Sequence, residues 1–260
     1  MARFGVDSDD RDILAFLHHV VDAAADTLDE TGAWEFTGER EGQYSGDVAV
    51  DEVVVDMCEA AGLVVLSEES TGSPLHWTGD DGTLLVVVDP VDGSTNASRG
   101  LPWFATALCV VDADGPRVGL VAEQSGSETR YGAIRGAGAN VDGNRARVAP
   151  ETAPSAAVVG VNGVPPRDHP WWQVRAMGSA ALDVCLVGCG ALDGWVDFHG
   201  HGVWDYLAAL LFCEEAGAMV AEADDSELFV LDPSARRRPV VASGPEMMES
   251  LLATLRRVDG

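Results

Sequence analysis

Residues 84–96, LLVVVDPVDGSTN, run an apolar segment straight into Asp89 and Asp92, which flank Pro90 and Val91. Two carboxylates held that close repel unless positive charge lies between them. The chain supplies none locally, because it contains no lysine and the nearest arginine is Arg99. Gly93, Ser94, Thr95 and Asn96 follow at once, a small-residue turn able to open a helix and aim free backbone N–H groups at an anion. A carboxylate pair beside such a turn makes chemical sense where divalent cations such as Mg²⁺, which take hard oxygen ligands, join the acids to a phosphate. The simpler alternative is that Asp92 caps the next turn and Asp89 is a surface acid at a strand end, since Asp is a favoured turn residue.

Three further acidic stations stand at the ends of expected elements. VLSEES (65–70) sets Glu68 and Glu69 at the end of an apolar run, Asp51 opens a helix in AVDEVV, and Asp205 starts the apolar helix GVWDYLAALLFCEEAGAMV (202–220). Each has a plain reading of its own. Acids favour helix N-termini, and Glu68 and Glu69 could be surface charge, as Glu214 and Glu215 are expected to be. Competing motifs are absent: there is no GxxxxGK[ST], GxSxG or HExxH. The aspartyl-nucleophile pattern DxDGT keeps one residue between its acids, whereas two separate Asp89 from Asp92. His199 and His201 lack the two further ligands a zinc site needs.

Taken together, these stations resemble the inositol monophosphatase family, within the lithium-sensitive phosphatase superfamily that includes fructose-1,6-bisphosphatases. DPVDGSTN looks like the family's DPxDG[TS]xN, LSEES like its [GS]EE element, and GVWDYLAALLFCEEAGA like its WDxAAGxxxxxEAGG; MGSAALDVCLVGCGALDGWVD is similar to its pocket-lining segment. The resemblance covers about residues 48–220 and implies a layered αβαβα fold of the α/β (α+β) class. It implies metal ligands at Glu68, Asp89, Asp92, Asp205 and the Val91 carbonyl, with Asp51 as the outer ligand of a third Mg²⁺, so two to three ions per site. It places Ser94 with Glu68 on the attacking water. Gly93, Ser94 and Thr95 would hold the phosphate, and Gly178, Ser179, Ala180 and Asp197 would face the alcohol. The implied activity is Mg²⁺-dependent hydrolysis of a small polyol or sugar phosphate, inositol-1-phosphate first and fructose 1,6-bisphosphate second. A 3′(2′),5′-bisphosphate nucleotidase, an NADP phosphatase and a non-catalytic phosphosugar- or cation-binding protein stand as alternatives, and relatives suggest a homodimer.

The elements that must position these residues can be read from periodicity. Apolar spacing predicts a helix over 8–30, an exposed Gly-rich loop over 31–47 where a lid would sit, and a second helix over about 48–61. Strand-like runs follow at 63–67, 83–89, 104–112 and 117–124, with an Asp142-Gly143 hairpin, so the first half (1–150) reads as antiparallel-leaning. Pro90 should stop its strand, leaving Asp89 and Asp92 on one tight turn. The second half (151–260) alternates strand 156–161, helix 178–188, strand 193–198, helix 204–216 and a C-terminal helix near 246–257, an α/β pattern. Gly136 and Gly138 read as hairpin glycines, and RRRP (236–239) as a solvated turn.

Composition bounds the partners. The 260 residues carry 43 Asp+Glu against 16 Lys+Arg, a formal charge of −27, which disfavours a nucleic-acid partner. At roughly 1 M salt the Debye length is about 3 Å, so this acidity reads as halophilic adaptation. Five cysteines, none in CxxC spacing, read as buried thiols of a cytoplasmic protein. No apolar run approaches the ~18 residues of a membrane span, so no membrane partner is expected.

Overall fold

The computed structural model describes all residues except 1, 2, 33, 40, 41, 70–74, 76 and 260. It stacks five layers. Helices α1 (Asp10–Glu30) and α2 (Ser45–Ala60) cover the outer face of a seven-stranded sheet. That sheet runs in sequence order: β1 (Val64–Ser67), β2 (Leu85–Asp92), β3 (Ala105–Asp112), β4 (Gly115–Glu123), β5 (Arg130–Ile134), β6 (Gly138–Val141) and β7 (Asn144–Arg145). Only its β1–β2 pair is parallel. The five-residue helix α3 (Ser94–Ser98) follows β2 at once.

A second sheet has the order β11-β12-β10-β8-β9 and is built from β8 (Val158–Asn162), β9 (Gln173–Arg175), β10 (Gly194–Asp197), β11 (Met219–Glu222) and β12 (Pro239–Ala242). Helices α4 (Ala180–Gly188) and α5 (Val203–Ala216) lie between the sheets, and α6 (Pro245–Asp259) covers the far face of the second. The αβαβα order expected from the sequence is the order observed.

The unbroken apolar run of β2 follows from this layering. Leu85 and Val87 face the core shared with α4 and α5, while Val86 and Val88 face the core under α1 and α2. A strand covered on both sides has no solvent face to keep polar, and each such side chain contributes about 1.5–3 kcal/mol on burial. Helix α5 is buried almost all round for the same reason.

Two expectations are corrected. The second helix begins at Ser45, where the Asp47 side chain accepts from the Tyr44 N–H at 2.8 Å and closes the first turn. The strand does not stop at Pro90. It continues to Asp92 through a bulge in which Pro90 and Val91 oppose Thr106 alone, Asp89 pairing with Ala107 and Asp92 with Ala105. A bulge tolerates proline because the extra residue owes no N–H to the ladder, and the Thr106 hydroxyl secures it by donating to the Pro90 carbonyl at 2.8 Å. Within the expected loop 31–47, Phe36 and Tyr44 form an isolated antiparallel bridge with stacked rings.

Candidate active site

The carboxyl end of β2 faces the N-terminal ends of α4 and α5, so strand-borne acids meet helix-borne groups. Glu68, just past β1, Asp89 on β2 and Asp205 in the first turn of α5 each bring a carboxylate oxygen to within 4.8 Å of the others. Asp89 is the critical member. It is 1% exposed, and neither of its oxygens has a hydrogen-bond partner among the described residues. Burial, then the charges of Glu68, Asp92 and Asp205, push its carboxyl well above the ordinary carboxylate range. An ionised group so placed is costly unless a cation reaches it. Carboxylate oxygens are the hard ligands that Mg²⁺ and similar ions take, and with both oxygens of Asp89 lacking a donor the residues present fit a divalent metal.

Asp205 serves two roles at once. Its Oδ2 accepts from the Gly202 N–H at 2.8 Å, the cap that its helical position suggests, and the same carboxylate completes the cluster. Burial raises its carboxyl, and the neighbouring His201 partly offsets this.

Asp92 lies outside the three-acid cluster and is tied to the other half of the chain. Its Oδ2 accepts from the Ser179 hydroxyl at 2.6 Å and the Ala181 N–H at 2.7 Å, and its Oδ1 from the Ala180 N–H at 3.2 Å. Burial and Asp205 nonetheless push its carboxyl up to about 6, against the pull of those donors. Asp92 thus caps α4 rather than the turn that follows it in sequence.

Gly93 connects β2 to α3 with a φ of +93°, and a Cβ there would lie 3.0 Å from the Gly178 carbonyl oxygen. The position needs glycine for both conformation and space. Ser94 and Thr95 open α3, whose first N–H groups have no intrahelical acceptor. Asn96 fastens this turn to the second half, its Nδ2 donating to the carbonyls of Trp103 and Met177, each at 2.8 Å.

Gly178, Ser179, Ala180 and Asp92 line a cavity of about 90 Å³ together with Val161, Asn162, Asp183, Trp195 and His201. The expected alcohol-facing residues therefore gather in one place, with one exception. Asp197 is 0% exposed and absent from the lining. Its Oδ1 accepts from Asn162 Nδ2 at 2.8 Å and from the N–H groups of His199 and Gly200 at 2.8 and 3.0 Å; its Oδ2 holds His201 Nδ1 at 2.6 Å. With its oxygens engaged inside the protein, Asp197 does not reach a substrate.

Asp51 is buried on α2, accepts a hydrogen bond from the Ser67 hydroxyl, and is not part of the three-acid cluster. The acid on α2 whose charge reaches Asp89 is Asp47. Sequence reading passed over Asp47, although an acid at the third helical position after Tyr44 is a recognisable capping signal. Asp183 was also missed. Its Oδ1 accepts from Trp103 Nε1 at 2.7 Å, and burial pushes its carboxyl up to about 7; nothing distinguishes it from helix filler until α4 is seen against the cavity.

Two plain expectations also change. Glu215 is no idle surface charge, since its carboxylate accepts from the N–H groups of Gly136 and Gly138 at 2.6 and 2.8 Å and clasps the hairpin. The arginine run is likewise engaged: Arg236 lies over the Trp204 ring at 5.5 Å, and Arg237 pairs its backbone with His201. Ser70, the last residue of LSEES, lies outside the described residues, as do positions 33, 40 and 41 of the expected lid. Of that segment, Gln43 donates to Glu69. No helix of the described residues is long and apolar enough to cross a membrane.

Comparison with known proteins adds a lineage to this geometry. Residues 45–259 match the model of the family described as the inositol monophosphatase family. The Nus factor SuhB of Escherichia coli is 28% identical over 226 residues, 81% of this chain and 80% of that protein. A fructose-1,6-bisphosphatase of Pyrococcus furiosus is 27% identical over 213 residues, 80% of this chain and 82% of that protein. Among solved structures, the inositol monophosphatase from Anabaena (Nostoc) sp. PCC 7120 superposes with a TM-score of 0.77 at 23% identity, covering 95% of this chain and 96% of that one.

Proposed function

The chain belongs to the inositol monophosphatase family, and on that premise we propose that it is a Mg²⁺-dependent phosphomonoesterase acting on a small polyol or sugar phosphate. The observation that carries this is Asp89, a buried carboxylate without a donor, set among Glu68 and Asp205 beside the glycine turn at 93. Glu68, Asp89, Asp205, Asp92 and the Val91 carbonyl would hold two ions, with Asp51 or Asp47 toward a third. Bound divalent ions supply Lewis-acid activation of water and neutralise phosphoryl charge.

The chain's own residues do the rest. Glu68 and the Ser94 hydroxyl orient the attacking water and take up its proton. The N–H groups at 93–95 hold the phosphoryl oxygens at the opening of α3. Gly178, Ser179 and Ala180 receive the alcohol in the cavity beside Asp92. The scheme needs no covalent phosphoenzyme; attack is by water.

Inositol-1-phosphate is the first-choice substrate and fructose 1,6-bisphosphate the second, the latter supported by the name of the Pyrococcus furiosus relative. A cytoplasmic, homodimeric enzyme working at high salt, with no nucleic-acid partner, completes the proposal; the charge of −27 supports its last two parts. The relative named as a Nus factor favours a second reading, a protein that keeps the fold for binding alone. The retained Glu68, Ser94 and Asp92 weigh against it, because binding needs no water-orienting hydroxyl.

The test is phosphate release in Mg²⁺ and high salt from inositol-1-phosphate, fructose 1,6-bisphosphate and adenosine 3′,5′-bisphosphate, each with and without EDTA. EDTA-sensitive turnover that disappears in Asp92→Asn is expected. A folded protein inert toward all three esters would favour binding alone.

A further inference from the structure

The described residues between α1 and α2 carry a buried amide that the scheme above does not use. Gln43 is 6% exposed, on a strap tied together by the Phe36–Tyr44 bridge and its stacked rings. Its backbone is paired within the strap: the Thr37 N–H donates to the Gln43 carbonyl at 3.1 Å, and beside it the Ser45 N–H donates to the Glu35 carbonyl at 2.8 Å. Its side chain is paired at both ends. Nε2 donates to Glu69 Oε2, and Oε1 accepts from the Thr37 hydroxyl. A carboxylate only accepts, so the nitrogen must face Glu69 and the oxygen is left to the hydroxyl.

Glu69 is the neighbour of an acid in the cluster. Glu68 brings its carboxylate to Asp89 and Asp205, and Glu69 is not a member of that group. The two follow β1 directly, and their backbone is tethered to the first sheet. The Glu68 N–H donates to the Val88 carbonyl at 3.1 Å, the Glu69 N–H donates to Ser67 Oγ at 3.2 Å, and Ser67 in turn donates to Asp51. Adjacent acids share a peptide, so a carboxylate pinned at 69 also steadies the backbone from which Glu68 projects.

An unpinned carboxylate at 69 would harm the cluster in two ways. It would bring further negative charge toward acids that already repel, since the charges of Glu68, Asp92, Asp205 and Asp47 all bear on Asp89. It would also loosen the peptide under Glu68. A primary amide answers both, because it gives the carboxylate a donor and adds no charge of its own. An arginine in its place would hold Glu69 as firmly, but it would set a fixed cation beside a site suited to attract one, and like charges repel at such range.

We propose that Gln43 is a positioning residue for the metal site: by engaging Glu69 from the strap, it keeps that carboxylate out of the acid cluster and fixes Glu68 within it. This role rests on the divalent-metal reading proposed above and adds to it a side chain that acts on a ligand only through its neighbour. Thr37 belongs to the same device, since its hydroxyl holds the amide oxygen and so keeps Nε2 turned toward Glu69. Outer partners of this kind orient the ligands of a metal and tune its affinity.

The experiment is thermal unfolding at high salt across a Mg²⁺ titration, with wild type, Gln43→Glu and the double variant Gln43→Glu/Glu69→Gln. Gln43→Glu leaves Thr37 an acceptor but sets a carboxylate against Glu69. The Mg²⁺ concentration that gives half of the stabilisation should then rise about 10-fold, the lower end of what losing an outer partner costs in metal affinity. In the double variant the amide at 69 donates to the carboxylate at 43, and the midpoint should return most of the way to wild type. An unmoved midpoint in Gln43→Glu, or a double variant no better than the single one, overturns the assignment. So does a variant that melts lower in EDTA yet keeps the wild-type Mg²⁺ midpoint, the outcome of a role in folding alone. Should Gln43→Glu not fold, Thr37→Val decides: it spares both Gln43 and Glu69, it must shift the midpoint in the same direction, and an unmoved midpoint overturns the proposal. A wild type whose melting ignores Mg²⁺ removes the metal reading itself, and Gln43's role with it.

Discussion

Two strands of this molecule carry a buried aspartate toward their carboxyl ends, Asp89 in the first sheet and Asp197 in the second, and the two could hardly be treated more differently. Asp89 closes the regular part of β2 at 1% exposure with no donor on either oxygen; Asp197 closes β10 at 0% exposure with donors on both. The electrostatic consequences are opposite in sign. Burial and neighbouring carboxylates raise Asp89 far above its ordinary range. Asp197 feels the same burial, yet the bond and charge of His201 and the surrounding N–H groups hold it below that range. A buried acid given its donors by the fold is structure, and one denied them is a place for a cation.

Substitutions at the two positions should break this contrast in different observables. Asp89→Asn has the largest expected effect, on turnover. Loss of several kcal/mol of metal-borne charge stabilisation, at about 1.4 kcal/mol per decade, lowers kcat at least about a thousand-fold. The same variant should melt no lower than wild type in EDTA, because it removes a repelling charge, and should no longer gain stability from Mg²⁺. Thermal unfolding with a Mg²⁺ titration checks both points, and a variant that still gains as wild type does would count against Asp89 as a ligand.

Asp197→Ala should act chiefly on stability. It strands His201 and three partly buried donors, and leaving such groups unpaired costs about 1–3 kcal/mol, visible as a lowered denaturant midpoint that Mg²⁺ does not restore. A loss below about 1 kcal/mol would show that the network is looser than its distances imply.

A smaller effect, and a sharper one, lies in pH. Asp92 and Asp183 have folded values of about 6 and about 7, raised above the ordinary value. Their stabilising contribution is therefore whole at and below the ordinary carboxylate range and is lost as pH climbs through 6 and 7, each unit of displacement being worth about 1.4 kcal/mol. Asp197 is depressed, so its contribution is present above the ordinary range and fades only in acid. Melting temperature in EDTA should thus fall between pH 5 and pH 8, and Mg²⁺ should flatten that fall by countering the repulsion. The His201 contribution, present below its ordinary value, should go as pH rises through about 9. A metal-free protein equally stable at pH 5 and pH 8 would contradict the repulsion inferred at β2.

Much of this was legible in the sequence because the relevant signals are local. The run LLVVVD read as a buried apolar strand and DGSTN as the turn after it, and the structure adds that the strand is covered on both faces. The acids at 68, 89 and 205 stood at element ends where an apolar pattern breaks, and their convergence was implied by the family resemblance rather than by periodicity. What escaped depended on partners distant in sequence. Asp197 looked like a substrate contact because nothing local reveals that Asn162, from β8, fills one of its oxygens. Asp183 looked like an ordinary α4 residue because Trp103 lies 80 positions earlier. Pro90 misled in the opposite direction: its rule is correct for a regular ladder, and only the single Thr106 opposite shows that the ladder is bulged there.

The grip of Asp92 on the start of α4 has a consequence for how the protein comes into being. Ser179, Ala180 and Ala181 lie 87, 88 and 89 positions downstream of the carboxylate they hold. A nascent chain that has completed its first sheet but not yet docked α4 presents Asp89 and Asp92 without the three donors that order one of them. On the proposed metal site, a cation would meet an ordered Asp92 only once α4 has docked, so assembly of the two halves, and not the acidic motif alone, would complete it.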